Sequence, residues 1–353
     1  IAEYAAQIVV GLTLEPDTVT PIEVQRAILP EVTGYAQRVT SRSDIRETFV
    51  LNALVSLDLA MWKLYAHTQN TNDFAQLVPE WGRNALSHKH REIAHVPLVT
   101  YKMNVSDIKQ IAERGAFVYK IKIGQAGSPE EMVAKDMRRM TEIHQAIGDT
   151  TTDHTASGKV LYYLDANGRY DSKETLHRLI DHLNHIGALD QVVVLEEPFP
   201  AASELDASSI PVPVAGDESV ETPKDVERLA QAGYSAFALK PAGKTLSASL
   251  LALREAHARH LPCFVADSAC VPLLVDWNKN VAARLSPIPG LKSGMLESNG
   301  ADHYRNWDSM LGAHPCSAFQ WLQPKDGRFV LDSTFYETSG CVLGKSGRYE
   351  EMI

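Results

Sequence analysis

Val160-Leu161-Tyr162-Tyr163-Leu164-Asp165, Val192-Val193-Val194-Leu195-Glu196 and Val212-Pro213-Val214-Ala215-Gly216-Asp217 are three successive apolar runs, each ending in an acidic residue. Short runs rich in β-branched and aromatic residues, bounded by polar ones, are predicted to be buried strands. The acids are 31 and 21 residues apart (196 − 165 and 217 − 196). Each gap has room for one helix and its loops. The acids should therefore come from the ends of adjacent strands and converge at one edge of the sheet.

The same alternation extends in both directions. Strands are predicted at about 97–101, 117–123, 160–165, 191–196, 212–216, 235–240, 262–266 and 293–297, with helices between them. Ser128-Pro129-Glu130-Glu131 carries an N-cap serine, a proline at the first helical position and a glutamate placed for a capping box. Thr222-Pro223-Lys224-Asp225 opens another helix in nearly the same way. Further helices are expected near 173–187, 246–259 and 271–285. Eight strands interleaved with helices favour a closed parallel α/β barrel over an open sheet. Ahead of it, Val50, Ala53, Leu54, Leu57, Ala60, Met61 and Leu64 recur at helical spacing, in a helix from about Ile45 to His67 with Ser43 as its cap. We divide the chain into an N-terminal cap (1–92), a barrel (93–318) and a C-terminal segment (319–353) expected to return to the cap. The polar stretch Gly148–Lys159 reads as a surface insertion.

Composition narrows the class. The chain has 353 residues, 44% hydrophobic and 22% charged, with a formal net charge of −10. That balance argues against nucleic acid and against an anionic membrane surface as partners. No apolar run approaches the roughly 20 residues of a spanning helix. Cys263, Cys270, Cys316 and Cys341 fit no metal-ligand spacing and read as buried thiols, consistent with a reducing cytoplasm. A small-molecule substrate and a homo-oligomer are the expected partners.

Active sites of parallel barrels lie at the carboxyl-terminal ends of the strands. Asp165, Glu196 and Asp217 are each placed there. A lone Asp at a strand end is ordinarily a helix cap, but three on successive units form an oxygen-only donor set that suits Mg²⁺. Neighbouring residues at a strand end point to opposite faces, so Glu196 is assigned to the metal over Glu197, and Glu218 serves beside it. Lys120 and Lys122 share one face of their strand. Burial and mutual repulsion would lower their pKa toward neutrality, as a general base requires. Lys240, after the sixth strand, approaches from across the barrel mouth.

This set resembles the enolase superfamily, and within it the muconate lactonizing enzyme and mandelate racemase group. The matching pieces are Lys120-Ile121-Lys122, Asp165-Ala166-Asn167, Glu196-Glu197-Pro198, Gly216-Asp217-Glu218-Ser219 and Lys240, with Asn52–Trp62 resembling the helix of the capping domain. The resemblance implies a modified (β/α)7β barrel with an α+β cap, whose usual first strands are not evident before Ile1. It implies Mg²⁺ on Asp165, Glu196 and Asp217, and proton abstraction α to a substrate carboxylate through an enediolate. Lys122 and Lys240 would be the acid/base pair, with Lys120 tuning Lys122. Asn167, Glu218, Asp267 and Glu297 would stand behind the metal or touch substrate. The outcome could be racemisation, epimerisation, cycloisomerisation or, as in acid-sugar dehydratases, loss of water. Leu296-Glu297-Ser298-Asn299 lacks the paired aspartates with which dipeptide epimerases hold an amino group, and Asp267-Ser268 brings no histidine base. Two readings of other classes are a barrel aldolase using Lys240 as a Schiff-base amine and a non-catalytic barrel scaffold.

Overall fold

The computed structural model describes residues 1–12, 19–201, 203, 205–267 and 269–344. Ser268 and positions 345–353 of the C-terminal segment lie outside the described residues. Helices come first: α1 (Ala2–Gly11), α2 (Pro21–Thr40), α3 (Glu47–Thr68) and the short turns α4 (Phe74–Leu77) and α5 (Glu80–Arg83). Then follow β1 (Glu92–Val96), β2 (Leu98–Val99), α6 (Val105–Glu113), β3 (Val118–Lys122), α7 (Pro129–Ile147), β4 (Leu161–Asp165), α8 (Lys173–His185), β5 (Val192–Glu196) and β6 (Val214–Gly216). The barrel continues with α9 (Pro223–Gln231), β7 (Ala236–Leu239), α10 (Leu246–Ala258), β8 (Cys263–Val265), α11 (Pro272–Ala282) and β9 (Met295–Glu297). The chain ends with α12 (Gly300–His303), α13 (Trp307–Gly312), β10 (Arg328–Val330) and α14 (Ser333–Thr338).

The strand order is β10-β1-β9-β8-β7-β6-β5-β4-β3-β2. β1 and β2 are two pieces of one strand, interrupted at Pro97. β1 pairs with β9 and β2 pairs with β3, both in parallel, so the sheet closes on itself as eight staves. The first stave lies earlier than the expected 97–101 because its lower half is paired on both sides, with β10 adding antiparallel along it. The result is a modified parallel barrel, with α6 to α11 on its outside. The connection from β5 to β6 differs from expectation. Its described residues form no helix, so those two staves are joined by an irregular segment.

The capping boxes expected at Ser128 and Thr222 are formed. The start of α3 is a correction. Its N-cap is Arg46, which makes no side-chain cap bond, and not Ser43. The free N–H of Glu47 instead donates to Glu221 Oε2 at 3.0 Å, a carboxylate from the barrel. A tertiary acceptor fills the place of a local hydroxyl, which chain spacing does not reveal. One helix also departs from the expectation that nothing is long and apolar enough to span a membrane. α3, 22 residues long with a window of mean hydropathy 1.3, is long and apolar enough to cross a membrane. Its Val50 and Leu54 pack against α1 and α2, while Leu59, Trp62 and Ala66 join the main core.

The Gly148–Lys159 stretch precedes β4 and so lies at the amino-terminal end of the barrel. It bridges to the start of β9 through Thr155 and Leu291, and Thr155 is buried. The C-terminal segment lies against β1 through β10. Ser339 also accepts the Phe74 N–H at 2.7 Å and donates to Asn72 O at 2.6 Å.

Two cysteines depart from the thiol reading. Cys316 and Cys341 form a disulfide with a Cα separation of 6.0 Å, whereas Cys263 and Cys270 are buried thiols. The pair is 25 residues apart on two loops that meet only in the fold. Thiol titration of the unreduced, denatured chain should therefore count two free thiols of the four; four would refute the link.

Asp58 of α3 latches cap to barrel. Its Oδ2 accepts the backbone N–H groups of Leu246 and Ser247 at 2.9 and 3.2 Å, and the Ser247 hydroxyl donates to Oδ1. Trp62 Nε1 donates to the same hydroxyl oxygen at 3.0 Å. Burial lifts the Asp58 carboxyl to about 7, against the pull of these donors. The folded value lies above the ordinary 3.8, so the folded chain holds this proton more tightly. The associated stability is fully present below about pH 4 and is lost as pH rises to about 7. The stability difference between the native chain and Asp58→Asn, from urea unfolding, should vary with pH across that window. A constant difference would refute the assignment.

Candidate active site

Strand register builds the site. Lys122 is the Cα partner of Asp165, Asp165 of Glu196, and Glu196 of Ala215. Asp217 is two residues beyond Ala215, and Lys240 four beyond Ala236 of the next stave. Even steps keep the same face, so all five side chains turn into the barrel mouth. Two residues below Lys122 and Asp165, Lys120 and Tyr163 form the next inward row.

Lys120 is buried at the centre. Its Nζ lies 3.0 Å from Asp165 Oδ2, 2.7 Å from Glu196 Oε2 and 2.9 Å from Glu297 Oε2. It also stands 4.7 Å from the centre of the Tyr163 ring, whose hydroxyl donates to Glu196 Oε2 at 2.5 Å. Lys122 donates to Asp165 Oδ2 at 2.5 Å and to Asn167 Oδ1 at 2.7 Å. Asn167 passes the contact on, donating from Nδ2 to Glu218 Oε1 at 2.8 Å. At the far end of the acidic row Lys240 is ion-paired with Asp217 Oδ2. The two outer lysines thus stand on opposite ends of the carboxylate row.

The loop after Lys122 is fixed by a buried acid. Asp136 accepts the Gly124 N–H at 2.6 Å and the Tyr170 hydroxyl at 2.8 Å. Gly124 has φ +82°, a conformation that favours glycine. Asp136 thereby ties the turn behind Lys122 to the turn behind Asp165.

Asp267 and Glu297 lie on the opposite wall. Glu297 Oε2 accepts the Asp267 N–H at 3.2 Å, and Asn299 donates to Glu297 Oε1 at 3.1 Å. Asp267 takes the backbone N–H groups of Cys270 and Asn299, so it braces two turns. Glu197 turns away from the mouth and accepts the Asp217 N–H at 2.8 Å and the Ser219 hydroxyl at 2.9 Å.

The electrostatics correct one expectation. Burial alone would lower the Lys120 ammonium, but Glu196, Glu297 and Asp165 overcome it and raise its pKa well above the usual lysine value. Lys240 behaves alike: Asp217 and Glu196 outweigh burial and raise it. These two lysines are held as cations, not pushed toward neutrality. Asp165 is lowered, since Lys120 and Lys122 outweigh its burial. Glu196 is raised well above the glutamate range by burial and by the like charge of Asp165.

Among the described residues no three acidic, His or Cys side chains are drawn close enough to hold an ion as they stand. The ammonium of Lys120 lies between Asp165, Glu196 and Glu297 instead, and that of Lys240 sits on Asp217. Yet Glu196 Oε1 is buried without a hydrogen-bond donor, and the two Asp217 carboxylate oxygens meet only the ammoniums of Lys240 and Lys244. Carboxylate oxygens in that state, with no soft donor nearby, match the chemistry that Mg²⁺ selects.

Lys244 and Tyr163 were missed. Lys244, four residues after Lys240 in the sequence Lys-Pro-Ala-Gly-Lys, is buried and reaches Asp217 Oδ1 at 3.2 Å. Tyr163 could have been found by stepping back two residues from Asp165 along its strand. Above Lys240 a recess of about 370 Å³ opens under the cap, lined by Arg46, Phe49, Asn52, Glu218, Lys240 and Lys244 among others. A larger cavity of about 600 Å³ lies to the side between α2, α9 and α10. It includes Lys240 and Lys244 in its wall but none of the three acids.

Acids at the ends of three successive staves, with lysines on the staves to either side, define a barrel of the enolase superfamily. The sequence model of the enolase C-terminal domain-like family matches residues 105–289, more than half of the chain, and the protein belongs to that family. Comparison with curated proteins gives no match. Among solved structures, the dipeptide epimerase from Methylococcus capsulatus complexed with Mg ion is similar at 17% identity and a TM-score of 0.56, covering 86% of this chain and 77% of its own. The 2-chloromuconate cycloisomerase from Rhodococcus opacus 1CP is 20% identical with a TM-score of 0.56, covering 85% and 72%. The L-Ala-D/L-Glu epimerase from Bacillus subtilis is 18% identical with a TM-score of 0.56, covering 72% and 65%. At these identities the likeness is one of fold.

Lys120 is the sole ammonium contacting Asp165, Glu196 and Glu297 together among the described residues. Removing one partner of a buried charge set typically costs about 3–5 kcal/mol. Lys120→Met should lose about that much in urea unfolding without added divalent ion; a loss below about 1 kcal/mol would show that these contacts do not hold the site.

Proposed function

We propose that the protein is a Mg²⁺-dependent enzyme that removes a proton α to the carboxylate of a small-molecule substrate. The observation that carries this reading is the pair of lysines at the two ends of one carboxylate row, Lys122 on Asp165 and Lys240 on Asp217. Asp165, Glu196 and Asp217 would hold the ion. When bound, it would supply positive charge where ionisation of the carbon acid puts a second negative charge on the substrate carboxylate.

The remaining work falls to side chains of this chain. Lys122 takes the α-proton on one side, and Asn167 holds its Nζ in place through Oδ1. Lys240 returns or delivers a proton from the other side. Lys120 stays protonated and fixes Asp165, Glu196 and Glu297 relative to one another. The cap reaches the mouth through Asn52, whose amide donates to Gly243 O at 3.1 Å, beside the recess above Lys240. Racemisation, epimerisation, cycloisomerisation and loss of water all begin with this step. An aldolase reading uses Lys240 as a Schiff-base amine and gives the three carboxylates Asp165, Glu196 and Asp217 no role.

The test is proton exchange in D₂O with Mg²⁺ and a panel of carboxylic acids: acid sugars, N-acyl amino acids, dipeptides and muconate-like diacids. Deuterium should enter at the α-carbon of at least one of them. Lys122→Ala should slow exchange by about 10²–10⁴-fold, the range of a general base. No exchange with any of them, or exchange untouched in Lys122→Ala, would sink the mechanism.

A further inference from the structure

Asp217 carries two ammoniums of different character. The Lys240 ammonium touches it at Oδ2 and, among the described residues, has no other side-chain hydrogen bond or ion pair. Lys244 touches it at Oδ1, 3.2 Å away, but its Nζ also donates to Asp217 O at 2.5 Å and to Val220 O at 3.0 Å. Those two carbonyls belong to the turn that follows β6. The Lys244 side chain is 9% exposed. It starts from a strained point in the loop, since the next residue, Thr245, has φ +74°. Lys240 can swing toward a substrate, whereas Lys244 is pinned by three oxygens and must stay.

A fixed ammonium beside a carboxylate competes with any cation that the carboxylate is to bind. A divalent ion on Asp217 would sit within a few ångströms of Lys244, in a buried site where charges are weakly screened. An arriving substrate carboxylate would offset that repulsion. We propose that Lys244 is a positioning residue that acts as a built-in counter-cation at Asp217, so that the protein alone binds a divalent ion weakly and binds it well only together with a carboxylate. This inference rests on the metal reading of the site given above.

The full chain is titrated with Mn²⁺, and free Mn²⁺ is followed by electron paramagnetic resonance. Lys244→Gln and Lys244→Met remove the charge, and Lys244→Arg keeps it. Both neutral variants should bind Mn²⁺ at least about tenfold more tightly than the native chain, and Lys244→Arg should stay within about twofold. Thermal unfolding of each variant is measured alongside. A merely structural role would move affinity the other way, because a loosened turn displaces Asp217. Equal or weaker Mn²⁺ binding by a folded neutral variant would therefore overturn the proposal while leaving the metal reading in place. A neutral variant that cannot fold would overturn it as well, by showing that Lys244 is a structural brace. Absence of Mn²⁺ binding in every protein, native chain included, would overturn both.

Discussion

Charge compensation inside the barrel mouth is the constraint on which the rest depends. Asp165, Glu196, Asp217 and Glu297 are buried beside Lys120, Lys122, Lys240 and Lys244. A lone buried charge of either sign would be driven to neutralise or would unfold the site. Brought together with these acids, Lys120 and Lys240 keep their protons, and Asp165 and Asp217 are held below the usual carboxylate range despite their burial. Glu196 is the exception. It stands between two other acids, and there burial and like charge win. A hard cation at this point would relieve that repulsion.

This arrangement demands precise spacing, and the barrel supplies it through backbone register alone. Five successive staves, β3 to β7, each contribute a charged residue of the row at or just past the carboxyl-terminal end, so the spacing of the row follows from strand register. The cap then acts on the ends of the staves. Arg46 reaches the Glu218 carbonyl and Glu221, Glu221 in turn caps α3 at Glu47, and Asp58 caps α10. Each contact anchors a cap helix to the turn after β6 or after β7. Those are the turns that carry Asp217, Glu218, Lys240 and Lys244. Cap position and site geometry are therefore coupled through the same short segments.

Much of this was legible in the chain because strands and barrels leave simple periodic marks. The eight staves, the acid at the end of each of three, and the two lysines one side-chain period apart all follow from period two and from apolar runs of strand length. What escaped was tertiary. The Arg46 cap of α3 depends on a carboxylate 174 residues away. The Cys316–Cys341 link joins loops whose approach no spacing announces. That the described residues between β5 and β6 form no helix left no sign, because a gap of that length suits a helix or an irregular loop equally. The pKa expectation for Lys120 failed for another reason. It weighed burial and like-charge repulsion but not the carboxylates that the fold packs around each ammonium.

The choice between Glu196 and Glu197 shows how a single dihedral angle can decide chemistry. Glu196 is the last residue of β5 and keeps the strand's inward face. Glu197 has φ +43°, a left-handed conformation that turns the chain and directs its side chain out of the mouth. There it accepts the Asp217 N–H and the Ser219 hydroxyl. Burial lifts this carboxyl to about 7, while those two donors favour its charged form and pull the other way. Its position is that of a brace: it holds the backbone of the neighbouring acid, so that Asp217 leaves β6 at the angle the row requires. Two adjacent glutamates thus do different work. One offers a poorly satisfied oxygen to the site, and the other uses both of its contacts to fix the residue next to it.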